Sequence, residues 1–260
     1  MSQPSIKAPP FVRYVMYFNG QNASAVVPPN PAFYGSQLTV VAWFAIINNP
    51  SSWAGIVDTT VYTDKNWWIL TGASPSCSVD IGASFTGGKK DIYLPPIACG
   101  EVHQYALRLS GNELSAFTDG KLYQTVTGSG ELATDTSLPL VIGGRPHGPL
   151  PTPPYYFSNV AVWQVLVYNK ALSNAEIAQL CSNPTNPIRE GLVLWLQADP
   201  AYIHGNTWID LSGHGNNATL YNTQLIQLAP SIPWFWVGVG AVTAIAVGAG
   251  LWMAHSRGLI

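Results

Sequence analysis

Residues 103–127, HQYALRLSGNELSAFTDGKLYQTVT, alternate apolar and polar side chains in short runs separated by turn signals. His103–Leu109, Leu114–Thr118 and Lys121–Val126 read as strands, joined by Ser110–Glu113 and by Asp119-Gly120. An Asp-Gly pair between alternating runs marks a β-hairpin, because both residues tolerate positive φ. Such a stretch places the chain among antiparallel β-proteins.

The same pattern continues in both directions. Upstream, Tyr14–Phe18 ends at Asn19-Gly20 and Ala25–Val27 at Pro28-Pro29. Leu38–Ile47, Gly55–Asp58, Trp67–Leu70, Ser78–Phe85 and Asp91–Leu94 follow, and downstream come Leu138–Ile142 and Val160–Tyr168. Evenly spaced short strands with Gly, Pro and Asn turns predict a sandwich or barrel rather than βαβ units. One helix is marked by the capping box Ser173–Glu176, with Ile177 and Leu180 as its apolar stripe and Asn183-Pro184 as its stop. Residues 1–10 read as an arm, flexible or docked.

Composition narrows the function classes. Charged residues are 9% of the 260, aromatics 12% with ten Trp, and the net charge is −2. Lys and Arg are scattered rather than striped, which excludes an electrostatic case for nucleic acid. Neutral polar residues on an apolar-rich chain suit an exterior β-protein. The triplets Asn22-Ala-Ser24 and Asn217-Ala-Thr219 are compatible with glycosylation.

Of the three cysteines, Cys77 and Cys99 flank two strand-like runs, 79–85 and 91–97, around Gly87-Gly88. A hairpin centred on Gly88 would place the two sulfurs opposite each other, where a disulfide is sterically possible; the alternative is two separate buried thiols. A bridge would imply an oxidising exterior or a thermophilic source. Cys181 is left over, a small hydrophobe at the helix end.

Trp234 to Ala254, WFWVGVGAVTAIAVGAGLWMA, contains no ionisable side chain. A helix of that length reaches about 30 Å, the hydrocarbon thickness of a bilayer. Trp234, Trp236 and Trp252 stand where indoles favour the membrane interface. Gly240, Ala244 and Gly248 form a small-residue stripe suited to helix–helix contact, hence a homo-oligomer or neighbouring structural proteins as partners. Arg257 is the nearest fixed positive charge, which puts the tail 255–260 inside and the N-terminal domain outside. The first residues show no apolar h-region of a secretory signal. The layout expected is a tail-anchored single-pass protein with the lipid bilayer as a partner.

Three pieces carry a family resemblance: "HQYALRLSGNELSAFTDGKLYQT", "LPLVIGGRP" and "FSNVAVWQVLVYNKALSNAEIAQL". Together with "YVMYFNGQNASAVVP" and "LTVVAWFAI" upstream, their order resembles the laminin-G-like, concanavalin-A-like jelly roll over residues 11–182. The resemblance implies an all-β, two-sheet antiparallel sandwich. Glu190–Asn222, EGLVLWLQADPAYIHGNTWIDLSGHGNNATLYN, looks like the lead-in that normally precedes such a domain. It is either a truncated repeat or a set of edge strands folding back, and fold-back would bury Leu192, Leu194, Leu196, Trp208 and Leu211. The organisation expected is thus an arm (1–10), the jelly roll (11–182), the fold-back segment (183–222), a stalk (223–233), the membrane helix (234–254) and the inner tail.

Candidate chemistry is sparse. Thirteen acids are spread singly, without the clustered carboxylates that glycoside hydrolysis uses. No G-x-S-x-G occurs and no Cys/His set suits zinc. The expected protein is not an enzyme and has no cofactor, except that the family resemblance implies a calcium ion at a rim, where Asp58 or Asp64 could serve. Trp53, Trp67 and Trp68 fall on or beside rim loops, and Tyr155 and Tyr156 end the proline-rich loop 145–154. Such aromatics stack on glycans or anchor partners. Two settings are expected: a structural or host-contacting protein of a membrane-containing virion, or a cellular, for instance archaeal, surface protein for glycan binding, adhesion or membrane-complex assembly.

Overall fold

The computed structural model describes residues 4–48, 53–60, 65–72 and 77–229. Its strands are β1 (Tyr14–Asn19), β2 (Ser24–Val27), β3 (Gln37–Asn48), β4 (Gly55–Asp58), β5 (Trp67–Thr71), β6 (Val79–Phe85), β7 (Gly88–Tyr93), β8 (His103–Ser110), β9 (Glu113–Thr118) and β10 (Lys121–Thr127). β11 (Leu140–Ile142), β12 (Asn159–Tyr168), helix α1 (Asn174–Ser182), β13 (Leu192–Gln197), β14 (Ile203–His204), β15 (Thr207–Trp208), β16 (Ala218–Tyr221) and β17 (Gln224–Gln227) complete the order. One sheet runs β10-β9-β8-β3-β12-β1-β17, with β13 also paired to β12; the other runs β14-β15-β16-β2-β11-β4-β5-β6-β7. The fold is an all-β antiparallel jelly-roll sandwich.

The core lies between the sheets. Leu38, Val40, Ala42 and Phe44 of β3 face Trp67, Ile69, Val79, Ile81 and Ala83 of the second sheet within one cluster. Strand β3 is apolar on its other face too, where Val41 joins Leu166, Tyr168, Trp195 and the helix residues Ile177 and Leu180. A continuous apolar run is what a strand covered on both sides requires. Helix α1 supplies the cover. Its capping box is complete: Ser173 Oγ accepts from Glu176 N at 3.2 Å, and Glu176 Oε2 accepts from Ser173 N at 2.6 Å.

Residues 190–227 contribute strands to both sheets. β13 pairs with β12, β16 with β2 and β17 with β1. Asp210 ties this segment together. Its carboxylate accepts from Trp195 N, Ser212 N and Asn216 N at 2.9 Å each, and from Ser212 Oγ at 2.7 Å. The stalk expected over 223–233 is corrected at its start. Ile226 is buried against the core and Leu228 N donates to Arg13 O, so β17 closes the sheet edge beside β1.

The β6–β7 hairpin also differs from expectation. Phe85 pairs with Gly88 and Asp80 with Tyr93, so the turn is Thr86-Gly87 and partner numbers add to 173. A centre at Gly88 would have required 176. Cys77 and Cys99 nonetheless form a disulfide with Cα atoms 5.3 Å apart. Leu94 N still donates to Val79 O in the hairpin's own register, but Ile97 N donates to Cys77 O, one residue out of step, as the chain brings Cys99 across. Cys181 is a free, partly buried thiol packed against the inter-sheet core. The N-terminal arm is docked: Lys7 N donates to Gly100 O, Val102 N to Lys7 O, and Lys7 Nζ meets Glu101 at 2.7 Å.

Among the described residues no helix is long and apolar enough to cross a membrane. Trp234, Trp236, Trp252, Gly240, Ala244 and Gly248 lie outside the described residues, as does Asp64.

Candidate functional site

The outward face of the second sheet and the loop beside it carry buried polar atoms without hydrogen-bond partners on Asp58, Trp68, Asp80, Ser84 and Arg145. Trp67, Ile69, Val79, Ile81, Ala83 and Phe85 point into the core. Alternation therefore turns Trp68, Asp80, Gly82 and Ser84 to the opposite face. The ladder Asp58↔Trp68↔Gly82↔Asp91 crosses this face, with Asp80↔Tyr93 in the neighbouring row. Three carboxylates thus share one surface.

Asp58, fully buried, is held by the loop that follows β11. Arg145 Nε lies 3.0 Å from Asp58 Oδ2, an ionic contact in which the N–H is not aligned on the oxygen. Thr60 Oγ1 donates to Asp58 Oδ1 at 2.7 Å and accepts from Arg145 Nη2 at 2.7 Å. Burial raises the Asp58 pKa, while Arg145 and the Thr60 bonds oppose that rise. The chain can cross so closely because residue 55 is glycine: a Cβ there would stand 2.1 Å from Gly144 O. Sequence spacing could not have shown this pair, since β4 and β11, the strand before the Arg145 loop, are neighbours in the sheet but far apart in the chain.

An aromatic rim sits beside the pair. Arg145 and Tyr155 exchange backbone hydrogen bonds at 2.7 and 3.0 Å, closing the proline-rich loop. His147 and Tyr155 ring centroids are 4.7 Å apart, Tyr155 and Tyr156 4.6 Å. Tyr156 O accepts from Gly55 N at 3.0 Å, two residues along the chain from Trp53. Trp53 and Tyr156 are 48% and 43% exposed, and both hold positive φ, 57° and 45°. For a bulky L-residue the left-handed region costs about 1–2 kcal/mol. Two large rings kept outward at that cost are a candidate contact surface.

The other predicted aromatics are placed differently. Trp67 is a core residue, fully buried, with Nε1 donating to Phe33 O at 2.7 Å. A strand residue of core parity cannot serve the rim, which corrects its expected role in ligand contact. Trp68 is outward but only 4% exposed, and its ring lies flat on Gly82, where a Cβ would come within 2.2 Å.

Sequence reading missed Asp80 and Asp91. Asp80 is 2% exposed, its Oδ1 has no hydrogen-bond partner, and its pKa is pushed up to about 8 by burial and then by the charge of Asp91. Asp91 is raised in the same direction, chiefly by burial, against the pull of Lys89. Trp68 Nε1 is near enough to both carboxylates to favour their charged forms but makes no aligned hydrogen bond. Among the described residues no three His, Cys, Asp or Glu converge as metal ligands, and the Asp58 carboxylate proposed for calcium already faces the Arg145 guanidinium. The described residues do not fit the expected ion, and Asp64 lies outside them.

No curated protein matches the chain. Among solved structures, a Bacteroides ovatus protein assigned a carbohydrate-binding role superposes with TM-score 0.65 at 16% identity, covering 84% of this chain and 61% of its own. The chain thus spans less than two thirds of that relative. The heptameric SAP-like pentraxin of Limulus polyphemus gives TM-score 0.57 at 15% identity, covering 85% of this chain and 98% of its own. These similarities show the fold. A family model matches residues 19–178, more than half of the sequence, and with the two-sheet architecture it shows that the chain belongs to the concanavalin A-like lectin/glucanases superfamily.

Proposed function

We propose that this domain is a non-catalytic glycan-binding module that uses the rim of Trp53, Tyr155 and Tyr156 as its stacking platform. The carrying observation is the pair of exposed rings held at positive φ beside a loop anchored by Asp58 and Arg145. Aromatic faces bind the C–H side of sugar rings with little entropy loss. The Bacteroides ovatus neighbour supports the ligand class. The non-catalytic reading is supported by Asp58, which is engaged by Arg145 and Thr60 and so does not stand free to flank a scissile bond.

The test is a glycan array with the full chain in detergent, repeated with Trp53→Gly and Tyr156→Gly. Glycine relieves the left-handed strain, so each variant keeps or slightly raises its melting temperature while losing glycan signal. Folded wild type without any glycan hit would overturn the reading.

The setting we propose is display from a membrane through 234–254, on a virion or cell surface, with self-association through the Gly240, Ala244 and Gly248 stripe. The apolar run is the support. Release of the full chain from membranes by alkaline carbonate would refute it.

A further inference from the structure

We infer that the outward face of β5–β7 holds a subsite for a primary ammonium group, so that the glycans preferred are those carrying a free amino sugar. This rests on the glycan-binding reading and specifies its ligand. Asp80, Trp68 and Ser84 are each at least nine-tenths buried, and Asp80 Oδ1, Trp68 Nε1 and Ser84 Oγ have no hydrogen-bond partner. Buried polar atoms are nearly always paired, so the unpartnered acceptor Asp80 Oδ1 points to a missing donor. The cross-strand partner of Asp80 is Tyr93, which lies on the edge strand β7 and is 57% exposed. An open ring beside a desolvated carboxylate is the combination that recognises an ammonium ion.

Charge balance separates an ammonium from a sugar hydroxyl. Arg145 pairs with Asp58 and acts on Asp80 only at longer range, and Lys89 acts on Asp91; among the described residues no ion pair joins a cation to Asp80. With its pKa pushed up to about 8, Asp80 is mostly protonated at neutral pH, and a neutral hydroxyl leaves it so. An ammonium beside Asp80 favours loss of that proton to solvent, donates to the orphan Oδ1, and offsets the charge that Asp80 then carries next to Asp91.

The experiment uses the full chain in detergent at neutral pH with two probes. The first is methylammonium chloride against sodium chloride, read by the Trp68 indole N–H resonance. The second is a matched pair of glucosamine and N-acetylglucosamine oligomers, read by calorimetry on wild type and Asp80→Asn. The expected results are a saturable Trp68 shift with methylammonium only, and a roughly ten- to hundredfold preference for the amine oligomer that Asp80→Asn abolishes. Equal affinity for the two oligomers, or a preference surviving in Asp80→Asn, overturns the inference and leaves glycan binding standing. A methylammonium response without oligomer binding supports the subsite and sinks the glycan reading. Silence with both probes removes both.

Discussion

Replacing Asp80 by Asn should stabilise the protein, and more so as pH rises. The carboxyl is 2% exposed, and its pKa moves from an ordinary 3.8 to about 8 on folding. Between those values the folded state binds the extra proton, so stability falls with increasing pH. About four pH units at 1.36 kcal/mol each give an upper limit of roughly 6 kcal/mol. Buried sites respond as though the dielectric were near 20, so a loss of about 2–4 kcal/mol between pH 5 and 8 is the expectation. Asn keeps the shape and has no proton to lose. His103 also weakens the fold as pH rises. Its pKa is raised chiefly by the Asp119 hydrogen bond, so that stabilisation is complete below about 6.5 and is lost as pH passes the folded value. That contribution is common to both proteins and cancels in the comparison. Urea melts of wild type and Asp80→Asn at pH 5, 6, 7 and 8 give the two slopes. Parallel curves, or a variant less stable than wild type at pH 8, would refute the reasoning.

Arg145→Ala strands the Asp58 carboxylate and should cost about 3 kcal/mol at pH 7; the double variant Asp58→Asn/Arg145→Ala should recover most of it in a denaturant cycle. Asp210→Ala removes four acceptor bonds and should cost about 3–5 kcal/mol, with hydrogen exchange rising first in β13 and β16. Reducing the Cys77–Cys99 bridge, which closes a sequence separation of 22, should lower stability by about 3 kcal/mol in the chain-entropy treatment, seen as a reductant-dependent melting temperature.

Register explains why the acidic face escaped notice. In a hairpin whose partner numbers add to 176, residues 80 and 91 lie on opposite faces, because one number is even and the other odd. The true sum, 173, puts Asp80 and Asp91 on the same face. An odd slip in register exchanges every side chain between core and solvent. The turn residues Thr86, Gly87 and Gly88 offer two plausible centres, and local chemistry does not choose between them. The disulfide did not help, because residues past Leu94 depart from the register before reaching Cys99.

Features written in consecutive residues were readable without coordinates. The alternating runs around Asp119-Gly120, the capping box at Ser173 and the apolar β3 each depend on neighbours a few positions away, and period and propensity encode such contacts directly. The pairing of β17 with β1, the contact of Arg145 with Asp58 and the backbone bond from Gly55 to Tyr156 join residues far apart in the chain. Nothing local distinguishes those partners from competitors. They are selected by which sheet arrangement buries the apolar faces at once, and that choice exists only when the whole chain condenses.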